Sequence, residues 1–383
     1  MKDLGRIVIV DFSKLLPGPF CTMLLADLGC RVIRVELPHW QDSARGIPPK
    51  IDGHGFCYWM ANRNKESVSL DFRKPEGRRA LDRLLAKADV VVEGFRPGLM
   101  TRLGLGYREL SRRFPGLVYC SITGYGQDGP LSGRAGHDIN FMAQSGFLGL
   151  GDSNGSLSFP PVQVGDLSGS MYAAVAILAA LLGRGGSGKG RHIDIACAET
   201  MLSWEIMAMG QYLATGSVPA LRGDWWSGNH AFYRLYKTRD GAHLAVGALE
   251  RPIAVNLLTA LGRPELAESL GPSMERVPAS VAAELESVFA GKTSAEWQAL
   301  LDGKDVCVTP VYGLGEALRH PFFQARGTLK GKHLASPMRL SGKRLAVRRP
   351  APALGQDNAR VLRWAGCKPA DIRRLRKNGL LPG

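Results

Sequence analysis

The 383-residue chain has no pair of cysteines at CxxC spacing; its seven (Cys21, Cys30, Cys57, Cys120, Cys197, Cys307 and Cys367) are scattered. Such spacing supports neither a metal site nor a redox pair and fits small buried thiols in a reducing compartment. No apolar run reaches the roughly eighteen residues of a membrane span. The first six residues carry charge where a secretory leader needs an apolar core. These absences predict a cytoplasmic protein with no membrane association. No GxGxxG fingerprint follows the first predicted strand, where Leu16-Pro17-Gly18-Pro19 makes a poor pyrophosphate cradle, so a nicotinamide enzyme is disfavoured. The glycine-rich stretch 183–190 fails the Walker pattern: it follows a predicted helix and runs into Gly190-Arg191 rather than Ser or Thr. It reads as a turn.

What is present describes a globular protein, with 45% hydrophobic and 22% charged residues. The net charge of +15 points to an anionic partner. Much of it comes from a basic C-terminal region (Lys343, Arg344, Arg348, Arg349, then Arg373, Arg374, Arg376, Lys377) that reads as solvated surface. No nucleic-acid motif accompanies that region, so nucleic acid is not an expected partner. Arginines and lysines near glycine turns fit a phosphate-bearing small molecule better.

The β-branched run at 6–12 predicts a buried strand, 20–28 a helix stopping at Gly29, and 31–37 a second strand. A helix over about 75–87 leads into strands at 88–93 and 117–122, and a long helix over about 167–182 precedes a strand at 191–195. Strands alternating with helices predict an α/β fold with a Rossmann-like open parallel sheet, whose ligand binds beyond the strands' carboxyl ends. The Met- and Trp-rich stretch 198–214 predicts one apolar helix, for a core, an oligomer interface or an acyl pocket. After a linker carrying Trp225 and Trp226, 232–250 alternates as a hairpin around Arg239-Asp240-Gly241. Helices to about 290 and at 294–301 complete a smaller α+β domain, and another is expected within 355–366. The predicted division is a large domain over 1–215, a small one over 216–330, and a segment over 331–383 returning to the large domain.

The stretch 124–166 concentrates the chemistry. His137 and Asp138 follow one glycine-rich loop, and Asp166 closes another at Val164-Gly165-Asp166. One His and two Asp among such loops are either proton-transfer groups or ordinary turn residues.

Across nearly its whole length the chain resembles the class III CoA-transferase (CaiB/BaiF) family. The residues that carry the resemblance are Ala61-Asn62-Arg63-Asn64-Lys65-Glu66-Ser67, then Ala88 through Gly98 (ADVVVEGFRPG), Leu103-Gly104-Leu105-Gly106-Tyr107, Thr123-Gly124-Tyr125-Gly126 and Pro350 through Gly355. Gly136-His137-Asp138-Ile139-Asn140 with Val164-Gly165-Asp166 is most similar to the α-methylacyl-CoA racemase branch. That resemblance implies an acyl-CoA substrate, no metal or organic cofactor, and an interlocked homodimer with sites between the large domain of one subunit and the small domain of the other. It places Arg34, Arg63, Lys65 and Arg96 on the CoA phosphates. Gly94, Phe95, Pro97, Gly98 and Tyr125 would shape the adenosine and pantetheine groove. It makes Glu250 a hydrogen-bond partner of His137; the lesser alternative, read from its own neighbours, is a helix N-terminal carboxylate before Pro252.

The chemistry suits these residue types. Racemising a carbon beside a thioester needs one group to remove the α-proton and another to return it on the opposite face, and His137 with Asp166 can serve in both directions. Backbone N–H groups at a helix start near Gly165-Asp166 would stabilise the enolate. The alternative is CoA transfer through an aspartyl anhydride and aspartyl-CoA thioester, for which the resemblance matches Asp138 to the nucleophile. The absence of a consecutive-glycine run in the small domain favours the racemase; Ala143-Gln144-Ser145-Gly146 and the short loop Gly165–Gly169 lean towards the transferase.

Overall fold

The computed structural model describes residues 4–150, 157, 159–218, 228–272, 274 and 277–382. Its contacts divide the chain into two compact units: 1–147, 161–205 and 322–383 form the first, and 148–160 with 206–321 the second. The first boundary into the second unit after the large-domain helices thus falls at 206, ten residues before the expected one. The linker with Trp225 and Trp226 lies outside the described residues.

In the first unit, strands β1 (Val8–Asp11), β2 (Arg31–Glu36), β3 (Lys65–Ser69), β4 (Val90–Glu93), β5 (Val118–Thr123) and β6 (His192–Ala196) form one sheet in the order β3-β2-β1-β4-β5-β6. Every pairing is parallel. Successive side chains of a strand point to opposite faces, and the burial follows that rule. Val8 and Val10 join one core with Ile33, Val35, Val91 and Tyr119, while Ile9 joins the other with Val32, Val90, Val92 and Cys120. Helix α1 (Pro17–Leu28) covers the second face, α2 (Pro75–Leu85) and α3 (Tyr107–Arg113) the first. The strand order reverses between β1 and β4, so the loops leaving these two strands flank a topological switch point.

Strand β3 was not foreseen. Its sequence Lys-Glu-Ser-Val-Ser lacks an apolar pattern, yet all five residues are buried. The C-terminal segment covers this sheet edge: Ser67 N–H donates to Asp357 (2.9 Å), Ser69 N–H to Asn358 (2.9 Å), and Asp357 N–H returns to the Ser67 carbonyl (2.9 Å). An edge strand covered in this way exposes no free ladder groups.

Helix α4 (Asp138–Ser145), also unforeseen, precedes α5 (Val164–Ser187). By length and composition α5 could cross a membrane, which corrects the expectation that no apolar stretch is long enough. Its apolar character has a structural cause here: Ala173, Ala174, Ile177 and Ala180 enter the core beneath the sheet, and the helix packs on α1. The single helix expected over 198–214 is broken at Glu205 into α6 (Cys197–Trp204) and α7 (Ile206–Thr215).

The second unit holds an antiparallel sheet in which β7 (Tyr233–Lys237) and β8 (His243–Gly247) form the expected hairpin and β9 (Val308–Pro310) pairs with β8. Gly241 takes φ 79° at the turn, a left-handed value that glycine adopts without steric cost. Helices α8 (Arg251–Ala260), α9 (Ala279–Ala290) and α10 (Ser294–Leu301) pack Leu257, Leu285, Phe289 and Trp297 against it. In the first unit, α11 (Asn358–Trp364) and α12 (Pro369–Lys377) close the chain, with Ile372 and Leu375 buried while Arg374 pairs with Asp371 and Glu76.

Candidate active site

Asp138 begins α4 and Asp166 lies in the first turn of α5, and the two helix starts meet. The Asp138 Oδ1 accepts the Asp166 backbone N–H at 3.0 Å, so one helix's first carboxylate occupies the electropositive end of the other. The approach needs glycine: a Cβ on Gly165 would stand 3.1 Å from Asp138 Oδ1 and 3.3 Å from Phe141 Cβ. Phe141 fills the space left by Gly124 and Gly136, meets Tyr125 edge-on at 5.3 Å, and so fixes the direction of α4. In α5's second turn, the Ser170 hydroxyl donates to the Pro17 carbonyl at 2.7 Å and ties this helix to the start of α1.

This packing leaves two carboxyl groups in a poorly hydrated corner. Burial pushes Asp166 up to about 7, and the negative Asp138 adds to the effect. Burial also raises Asp138, while the Asp166 and Gly165 amides hold it partly down. The two titrate as a coupled pair. Cys197, behind them against Gly169, is driven above the ordinary thiol range by burial and then by both carboxylates, so it is an inert thiol. His137 is the N-cap of α4; its backbone N–H donates to Asn140 Oδ1 at 3.0 Å and its side chain is exposed. Sequence reasoning missed Glu205, a carboxyl raised by burial that accepts the Ser145 hydroxyl at 2.9 Å at the other end of α4. Its signal would have been an acid flanked by Trp204 and Ile206 within the apolar stretch 198–214, whose other acid, Glu199, lies near the start. Glu250 is an exposed residue at the N-cap of α8 in the second unit, the helix-terminal position that its own neighbours suggested.

The structure corrects three of the four phosphate-binding cations. Arg34 is 0% exposed, and its guanidinium donates to Asp42 (2.6 Å), the Ser13 carbonyl (2.9 Å), Asn62 (3.0 Å) and Glu36 (3.3 Å). Lys65, also 0% exposed, spends its ammonium on the Pro19 carbonyl, Asn62 and Asp11 at 2.8, 2.9 and 3.2 Å. Arg63 grips Asp27 with two bonds of 2.6 and 3.1 Å. Ammonium and guanidinium donors engaged by internal acceptors are not available to a phosphate. Arg34 braces the loops that leave β1 and β2, Lys65 the first turn of α1, and Arg63 its last turn. Arg96 alone of the four is exposed and has no ion pair among the described residues.

Around Arg96 the loop from β4 has the character expected of a groove wall. Phe95 N–H donates to Glu93 (2.8 Å), Gly98 takes φ 85°, and Gly94, Pro97 and Gly98 stay partly or wholly exposed. Trp40, from the loop after β2, stacks on Phe95 at 5.3 Å, and Lys14 from the loop after β1 lies 3.6 Å over the Trp40 ring. Neither was singled out in the sequence; an exposed Trp in the loop after a strand's carboxyl end was the available signal. Burial lowers Lys14 to about 8. Tyr125, expected on the groove, is half-buried and packs edge-on against Phe141 of α4.

The family model described as CoA-transferase family III matches residues 4–358. The chain is 33% identical over 390 residues to the human alpha-methylacyl-CoA racemase (Homo sapiens), covering 99% of this chain and 97% of that protein. It is 32% identical over 381 residues to the mouse succinyl-CoA:glutarate CoA-transferase (Mus musculus), covering 95% and 86%. A solved CAIB/BAIF family protein from Brucella suis superposes with a TM-score of 0.82 at 30% identity, over 94% of this chain and 98% of that one. The relatives thus include both racemases and CoA-transferases at similar identity. With its six-stranded parallel sheet, the chain belongs to CoA-transferase family III and is an enzyme of that family's transferase and racemase class.

Proposed function

We propose that the enzyme racemises 2-methyl-branched acyl-CoA thioesters by removing and returning the α-proton, with His137 and Asp166 as the two bases. The observation that carries this reading is Asp166 itself, a carboxyl brought to about 7 by burial beside Asp138 at a helix start. A group that must take a proton in one direction and give it in the other works best with a pKa near the operating pH. The first-turn amides of α5 are engaged within the chain, those of Gly165 and Asp166 by Asp138, so they hold the Asp138 carboxylate against the start of α5 beside Asp166. No metal or organic cofactor is needed for this chemistry. Incubation with a 2-methylacyl-CoA in deuterated water is expected to exchange the α-proton; no exchange, with free carboxylates instead swapping CoA, would overturn the racemase.

CoA transfer is the second reading, supported by the transferases among the relatives. Asp138 Oδ1 is committed to the helix amides, and a carboxylate so engaged is a weakened nucleophile. On this geometry the aspartyl intermediates would form on Asp166 rather than on Asp138, which revises the matching made from sequence. Hydroxylamine trapping followed by peptide mapping separates the readings, since the racemase forms no covalent adduct.

Racemisation requires one proton shared between His137 and Asp166, so kcat/KM is expected to be bell-shaped in pH and equal in both directions. Asp138→Asn keeps the amide acceptor but removes the negative charge that helps raise Asp166. The limb belonging to Asp166 should therefore move to lower pH, while burial, the larger cause, keeps it above the ordinary carboxylate range. A limb that stays in place or moves up would separate the two carboxyls electrostatically.

The homodimer is part of the same reading. Met171, Val175 and Leu182 on α5, and Ile206, Met207 and Leu213 on α7, are apolar side chains left exposed in the single chain. Sedimentation equilibrium should give a mass of twice 41.4 kDa.

A further inference from the structure

A cavity of about 260 Å³ lies in the first unit, where the core on one face of the sheet runs out beneath α3 and the segment 96–101, which runs into a one-turn helix (Leu99–Arg102). Its floor is polar because the strands present polar residues in register: Glu93 lies beside Ser121, and Tyr119 beside His192. The acceptors there are already used. Glu93 takes the Phe95 N–H and the Ser121 hydroxyl, and Ser121 in turn accepts from His192 Nε2 at 3.1 Å. Asp194, the other acid on this edge, accepts the Gln127 backbone N–H at 2.9 Å.

What remains is a set of donors. Tyr119 is 2% exposed and its hydroxyl has no partner, and the Gln127 side-chain N–H₂ is buried without one. Arg96 and Arg108 stand exposed at the mouth, and neither side chain has an ion pair or hydrogen bond among the described residues. Buried polar groups in native proteins are paired, so unpartnered donors converging on one space define the ligand as an acceptor. Two guanidinia at the mouth define it as an anion.

We infer that this cavity binds a small oxyanion, a carboxylate or phosphate group, held by Arg96 and Arg108 at the mouth and by the Tyr119 hydroxyl and Gln127 amide at the floor. The oxyanion has two sources, the 3′-phosphate of a bound CoA or a separate small anion, and only the first rests on the reading that the enzyme acts on acyl-CoA. The acid beneath the site reinforces the choice of ligand: burial holds Glu93 up at about 7, so near neutrality it does not present a full opposing charge. Uptake of an anion that keeps its charge should therefore strengthen as pH falls through about 7, where Glu93 gains its proton; His192, Asp194, Arg96 and Arg108 are the other charged or titratable groups facing this space.

The test uses calorimetric titration of the full chain with inorganic phosphate, then with CoA and 3′-dephospho-CoA. Phosphate should bind wild type, and Arg108→Ala should weaken it by about tenfold or more. Tyr119→Phe removes an unpaired buried hydroxyl, so the empty variant should melt no lower than wild type, yet gain less in Tm from saturating phosphate. If Arg108→Ala also weakens CoA but not 3′-dephospho-CoA, the oxyanion belongs to the substrate. If CoA binding is untouched and phosphate binding is lost, it is a separate ligand. Phosphate and CoA binding that are both unchanged in Arg108→Ala and Tyr119→Phe would overturn the inference, whatever reaction the proton-exchange experiment finds.

Discussion

Asp166→Asn is expected to lower α-proton exchange by roughly a thousandfold, as loss of a positioned acid–base group does, while making the protein more stable at pH 8. The two effects share a cause. The Asp166 carboxyl sits at about 7 in the fold, far above the ordinary 3.8, because burial and Asp138 disfavour its charged form. Below about pH 4 it is neutral in both states and costs nothing. As pH rises from about 4 to about 7 the unfolded chain ionises first, so the fold loses stability through that window and carries the whole penalty above it. Asn has no charge to bury. Discounted for partial exposure, the gain at pH 8 is on the order of 1–3 kcal/mol and should vanish at pH 4. Urea midpoints at the two pH values, beside exchange rates, check both halves; a variant that is inactive yet no more stable at pH 8 would mean that Asp166 is not electrostatically frustrated.

The elements legible in the sequence were those whose physics is local. The strands at 6–12, 31–37, 88–93 and 117–122 are β-branched and buried on both faces, and so read as apolar runs. Strand β3 escaped notice because Asp357 and Asn358, nearly three hundred residues away, complete its edge. The break at Glu205 is equally non-local, since Ser145 on α4 holds that carboxyl where a continuous apolar helix was expected. Among the site residues, His137, Asp138 and Asp166 were found through their glycines, which are required by the close approach of Phe141 and Asp138. The cations were misjudged for a general reason: charge near a turn does not reveal whether its counter-ion is a ligand or a carboxylate elsewhere in the chain. Arg96, on a loop, was the one left exposed; Arg34 and Lys65, inside strands, were not.

Arg34→Ala is expected to cost about 3–5 kcal/mol, a large share of a domain's whole stability, with little role for lost ligand contacts. The guanidinium is the hub of a buried network in which three carboxylates, Asp11, Glu36 and Asp42, face Arg34, Lys65 and Arg45. Such a network gains little over apolar packing when complete, but removing its hub leaves Asp42 charged without a cation and Asp11 and Glu36 with only Lys65 and Arg45 in a dry interior. Asp42 would be left with only backbone donors, those of Leu15 and Ala44, and Asn62 and the Ser13 carbonyl would each lose a donor. Since Asp42 and Ser13 belong to the loops leaving β2 and β1, the damage should spread to the switch-point crevice, and CoA affinity should fall because the protein unfolds there, not because a phosphate loses its partner. Arg34→Lys retains the charge but cannot fork to four acceptors, so it should fall between wild type and Ala. Denaturant unfolding and CoA titration on the three proteins decide the matter. A loss under 1 kcal/mol with CoA binding abolished would return Arg34 to the phosphate site; a large loss of stability, with CoA bound normally by the fraction that remains folded, would keep it in the scaffold.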